Sequence, residues 1–219
     1  MSTRLARRSF LHGLVVTISA GAVACGDDET TPPEDNYSTD PADQERVYPH
    51  GIASGDPKPD SIILWTRVEP EAEAGPFQAV VEVSTTEDFS EIVAQETVLA
   101  DAGYDFTLRV KVTGLSPFTT YFYRFKSREV ASPVGRTKTA PSADQDVKVR
   151  FAFASCQDFI GRYYHAWKVL ADEAEPVDFV LFLGDYIYET NGDPDFQQVS
   201  AERAIEIPEG IQLLPNESP

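Results

Sequence analysis

Sulfur and positive charge are scarce in this chain. Its 219 residues include one methionine and two cysteines, Cys25 and Cys156. Two cysteines this far apart make no disulfide framework, and each has a local explanation better than a bridge. Lysine and arginine total 18 against 36 acids, a net charge of -18. That balance excludes nucleic acid as a stable partner, because the phosphate backbone is held by cationic side chains. Long apolar runs are also missing. The run over 13–24 is too short, and too closely flanked by charge, for an ordinary membrane span. Hydrophobic residues make up 42% of the chain, enough to form cores in 219 residues.

What is present begins with an address. The chain opens "MSTRLARRSFLHGLVVTISAGAVACG". Arg7 and Arg8 precede Phe10 and Leu11 and then the short apolar run. This R-R-x-F-L pattern resembles a twin-arginine export signal, whose machinery carries folded proteins. "AVAC" resembles a lipoprotein cleavage box, with Cys25 as the lipidated first residue of the mature chain. Residues 1–25 are therefore expected to be a leader. The mature protein is expected in the periplasm or at the cell surface, anchored through Cys25. The acidic, proline-rich stretch over 26–46 has almost no aliphatics and reads as a disordered tether.

Residues 47–140 read as a β-sandwich. "SIILWTRV" (61–68), "QAVVEVST" (78–85), "FTLRVKVTG" (106–114) and "TYFYRFKS" (120–127) are β-branched or aromatic and mostly alternate. Proline, glycine and aspartate separate them. "LSPFTTY" (115–121) resembles the fibronectin type III corner, with Tyr121 bonding back to the chain. "GRTKTAPS" (135–142) resembles the last strand of such a module. Trp65 and Tyr121 are expected in the core. His50, alone among turn residues, reads as structural.

The period changes after "APSADQD" (140–146). "VKVRFAFAS" (147–155) and "VDFVLFLGD" (177–185) read as strands buried on both faces. Between them Tyr163, Trp167, Leu170 and Ala174 fall on one helical stripe, with His165, Lys168 and Asp172 opposite. This β-α-β order implies neighbouring parallel strands with a right-handed crossover. Ligands then bind beyond the carboxyl ends of the strands. Cys156 and Asp185 lie just past those ends, and a turn can return the Tyr188 phenol to the same point. Taken singly, Cys156 is a small buried hydrophobe, Asp185 caps a turn and Tyr188 packs. Together a thiol, a carboxylate and a phenol suit a highly charged metal such as iron(III). A cysteine-nucleophile phosphatase is the weaker alternative, since only Arg162 follows Cys156 closely.

"GDYIY" resembles the G-D-x-x-Y motif of metallophosphatases. "FAFASCQ" and "LFLGDYIYE", behind "PHGIASGDP…ILWTR", are similar to PhoD-type alkaline phosphatases. The resemblance runs over 47–189 and more loosely to Gly210. It implies a phosphate mono- and diester hydrolase with iron(III) and calcium; separately, the chain is expected to be a monomer. Cys156, Asp185 and Tyr188 match the family's iron ligands, with Asp185 able to bridge to calcium. The family's later histidines, aspartates and arginine have no match. No histidine follows His165 and no arginine follows Arg203, and Asp193 and Asp195 read as a turn. The expectation is an all-β, fibronectin-III-like sandwich followed by an incomplete α/β metallophosphatase domain over 147–219, truncated and poorly active. A surface lipoprotein with a β-sandwich binding module and a vestigial enzyme domain is the alternative.

Overall fold

The structure is a computed structural model. It describes residues 36–71, 75–159, 163–172 and 177–188, together with the backbone of 16–19. The chain divides into two compact units, 1–147 and 148–219.

The first unit is a two-sheet sandwich. One sheet has the order β1 (Val16–Ser19), β6 (Thr107–Thr113), β3 (Ser61–Arg67), β2 (Ile52–Gly55). The other runs β5 (Ile92–Ala100), β4 (Phe77–Ser84), β7 (Thr120–Ser127), β8 (Val130–Ala131), and β9 (Gly135–Lys138) also pairs with β7. Alternation explains the core. Leu108, Val110 and Val112 of β6 and Tyr121, Tyr123 and Phe125 of β7 are buried at every second position. Ile62, Leu64, Val81 and Val83 belong to the same apolar cluster. Glu82, of the opposite parity to Val81 and Val83, is buried as well. Arg124 Nε and Lys126 Nζ each lie 2.7 Å from its carboxylate, which offsets the cost of taking that charge out of water.

Tyr121 makes the corner expected of it: the Ser116 amide donates to its hydroxyl at 2.8 Å. Trp65 corrects the sequence reading. On β3 Ile62, Leu64 and Thr66 are buried at alternate positions, so Trp65 points to the opposite, half-exposed side. Side chains alternate strictly, and Trp65 has the wrong parity for the core. His50 is exposed. Strand β5 is not apparent in the sequence because two of its three buried positions, Ala94 and Ala100, are alanines, and Gln95, Glu96 and Thr97 interrupt its apolar residues.

The disorder expected over 26–46 does not hold for its second half. Residues 26–35 lie outside the described residues, but 36–46 are ordered against the sandwich. Helix α1 (Pro41–Val47) is capped by Asp40, whose carboxylate accepts from the Ala42 amide at 2.8 Å. Aspartate at the cap and proline at the first turn start a helix even in acidic surroundings. The helix delivers Val47 and Tyr48 to the core, and the Tyr48 hydroxyl donates to the Val130 carbonyl at 3.2 Å. Ser38 pairs with Val130 as a parallel bridge. Of the expected leader, only 16–19 is described, as the edge strand parallel to β6.

The second unit holds β10 (Phe151–Ala154), α2 (His165–Ala171) and β11 (Phe179–Phe182). β10 and β11 are parallel neighbours, with Phe151 opposite Phe179 and Ala154 opposite Phe182. The β-α-β order is therefore as the sequence predicts. Burial on both faces is not: Phe153 is 68% exposed and Leu183 65%. Two strands and one seven-residue helix are too little to cover both faces among the described residues. The helical stripe also shifts. Tyr163 precedes the helix and is 64% exposed, whereas Tyr164, Trp167 and Leu170 are half-buried. His165 is exposed, and Ala174 lies outside the described residues.

Candidate metal centre

The site is built where the two parallel strands end. Past Ala154 and Phe182 the chain continues as two segments laced together by backbone hydrogen bonds. The Leu183 amide donates to the Ala154 carbonyl at 2.8 Å, and the Gln157 amide to the Asp185 carbonyl at 3.1 Å. The Tyr188 amide donates to the Gln157 carbonyl at 2.7 Å, and the Phe159 amide to the Tyr188 carbonyl at 3.2 Å. This lacing sets Cys156 beside Asp185 and brings Tyr188 back to the same edge.

Two of the three residues hold unusual backbone angles. Cys156 has φ 60° and Asp185 φ 47°, both left-handed, and Gly184 between β11 and Asp185 has φ 116°. Aspartate tolerates this region through local hydrogen bonds, and cysteine has no such help. A side chain on Gly184 would meet nothing within 4 Å, so glycine is needed there for its dihedral and not for space. Strained residues of this kind cost about 1–3 kcal/mol each and gather at functional sites.

The side chains converge as well. Cys156 Sγ lies 3.5 Å from Asp185 Oδ2. The Tyr188 phenol hydrogen-bonds to both Asp185 and Cys156, and these bonds, the carboxylate's first, push its pKa well above the ordinary tyrosine value. A carboxylate that accepts from a phenol favours the neutral form and opposes a second negative charge. Cys156 is a free, exposed thiol. Thus the three residues singled out from the sequence do meet. Among the described residues no three or more of His, Cys, Asp and Glu cluster as a metal site would need, so the phenol is what makes this a three-donor set. Asp193, Asp195 and Arg162 lie outside the described residues.

Sequence reasoning missed the support behind this set. Trp167 Nε1 donates to Gln157 Oε1 at 2.6 Å, and the Trp167 ring stacks on Phe182 with centroids 5.9 Å apart. A groove of about 350 Å³ opens beside Cys156, lined in part by Phe153, Tyr164, Trp167, Leu170 and Phe182. Gln157 directly follows the cysteine, and that adjacency was the available signal.

Family comparisons match segments in both units. Residues 34–141 match the family described as PhoD-like phosphatase, N-terminal domain. Residues 151–212 match the one described as PhoD-like phosphatase. The chain is similar to alkaline phosphatase D of Bacillus subtilis (strain 168), 45% identical over 146 residues, which is 64% of this chain and 25% of that protein. It is also similar to a solved structure described as the structure of PhoD, with 40% identity and a TM-score of 0.62, covering 65% of this chain and 28% of that one. The chain thus spans about a quarter of the length of these relatives.

Proposed function

Given that the chain belongs to the PhoD-like phosphatase family, we propose that it acts as a phosphoric ester hydrolase with iron(III) held by Cys156, Asp185 and Tyr188. The observation that carries this is the convergence of thiol, carboxylate and phenol at one sheet edge, with Sγ and Oδ2 3.5 Å apart. The donor set fits the ion. Carboxylate and phenolate are hard oxygen donors, and a thiolate adds a softer ligand. A free, exposed thiol is a liability in an oxidising compartment, and metal ligation gives Cys156 a use there.

When bound, the ion supplies positive charge for a phosphoryl oxygen and acidifies water. Such charge matters on a chain with a net charge of -18, which otherwise repels a phosphate ester. The chain's own residues do the holding. Asp185 and Cys156 are pre-set by the left-handed turns. Tyr188 is fixed through its amide on Gln157. Calcium prefers six to eight oxygens. In this proposal Asp185 is the described residue that would also offer a carboxylate oxygen to calcium. Export by the twin-arginine route, with an anchor at Cys25, belongs to the same proposal and is supported by the R-R-x-F-L pattern before the apolar run.

The test is hydrolysis of p-nitrophenyl phosphate and bis(p-nitrophenyl) phosphate by protein supplied with iron and calcium. In keeping with the poorly active form expected from the sequence, weak turnover is expected, lost on chelation and abolished by Asp185→Asn. Hydrolysis that is indifferent to both would overturn the proposal.

A further inference from the structure

Gln157 occupies a singular position in the second unit. Its amide donates to the carbonyl of Asp185 at 3.1 Å, and its carbonyl accepts from the amide of Tyr188 at 2.7 Å. One residue therefore ties together the two turns that carry the oxygen donors, and it is bonded directly to Cys156. Its own side chain is held in turn. The indole N–H of Trp167 is a donor only, so the carboxamide must present its oxygen to it, and the bond is 2.6 Å. Trp167 sits on α2 and stacks on Phe182, the last residue of β11, and Phe182 lies against Tyr186 with ring centroids 4.7 Å apart. The chain of contacts runs from helix to glutamine to all three donors. The two turns it ties together are those in which Cys156 and Asp185 take left-handed conformations, the costlier of them at Cys156.

We infer that Gln157 and Trp167 are positioning residues for the iron site: the indole–carboxamide hydrogen bond locks the 156–157 turn, and so the relative placement of Cys156, Asp185 and Tyr188. Outer-shell partners of this kind orient ligands, and their loss typically lowers metal affinity about 10–100-fold. Trp167 need not touch the ion or the substrate for this.

Since this rests on the iron(III) assignment above, the experiment separates the two. Iron(III) is titrated as its nitrilotriacetate complex into the full chain, and the visible charge-transfer absorption of tyrosinate and thiolate is followed. The chains compared are wild type, Trp167→Phe, Gln157→Leu and the double variant. Trp167→Phe keeps a stacking ring and removes only the donor, and Gln157→Leu removes only the acceptor. Far-ultraviolet circular dichroism checks folding. If Trp167→Phe does not fold, Gln157→Leu carries the test. The expected result is a wild-type band, with affinity about tenfold weaker and a shifted band in each single variant, and no further loss in the double variant. A wild-type band with unaltered position and affinity in both variants overturns the positioning role and leaves the iron assignment standing. Losses that multiply in the double variant overturn the hydrogen bond as their cause. No band in the wild type overturns the iron assignment, and the positioning role with it.

Discussion

One phenol closes the sandwich at its corner. The Tyr121 hydroxyl accepts the Ser116 amide at 2.8 Å while its ring is buried in the core. Tyr121→Phe keeps the ring and strands the amide. The expected loss is about 1–3 kcal/mol, read as a lower midpoint in urea unfolding of the full chain. An unchanged midpoint would mean that water serves the amide equally well. Tyr121 was legible because its motif fixes both its neighbours and its bond. Trp65 was not, because size and early position do not set parity. Only the run Ile62, Leu64, Thr66 shows which side of β3 faces inward. At the candidate metal site the three proposed donors were legible from strand ends, and Gln157 was not. Its role lies in backbone bonds and in one contact from α2, and neither leaves a mark in residue type.

Among the elements, α1 shows how composition can mislead. The stretch over 26–46 is acidic and poor in aliphatics, yet Asp40-Pro41 starts a helix that buries Val47 and Tyr48. The cap was in the sequence, and the composition obscured it. Strands β10 and β11 were legible in position and pairing. Their expected burial was not met, because burial depends on what covers a sheet and not on the strand's own residues. The sandwich strands carry a pH dependence. Burial of Tyr123 on β7 pushes its pKa up to about 12, partly offset by a hydrogen bond from Ser54. Burial raises Tyr48, at the end of α1, as well. An unfolded phenol titrates near 10. Between about pH 10 and 12 the unfolded chain releases this proton and the folded chain keeps it, so stability falls as pH rises through that window and is fully present below it. Tyr123 alone contributes on the order of 2–3 kcal/mol to that fall. Denaturant unfolding at stepped pH should show the drop, and Tyr123→Phe should make it shallower. A drop of equal size in the variant would assign it to other groups.

Across the whole molecule, two kinds of order coexist. The first unit has a closed apolar core, and the second presents a three-donor edge on a lightly covered β-α-β scaffold. The sandwich class, the β-α-β unit and the family were all legible, because each rests on period or on a short motif with fixed spacing. The extent of the first unit was not, since its N-terminal portion is recruited by tertiary contacts from Ser38 and Tyr48 to Val130. The central claim is that Tyr188 binds iron(III) beside Cys156 and Asp185. The most direct test is the resonance Raman spectrum of the iron-loaded chain, excited in its visible band. Tyrosinate ring modes should be enhanced in the wild type and absent in Tyr188→Phe. A wild-type spectrum without those modes, or modes that survive the substitution, would contradict the assignment.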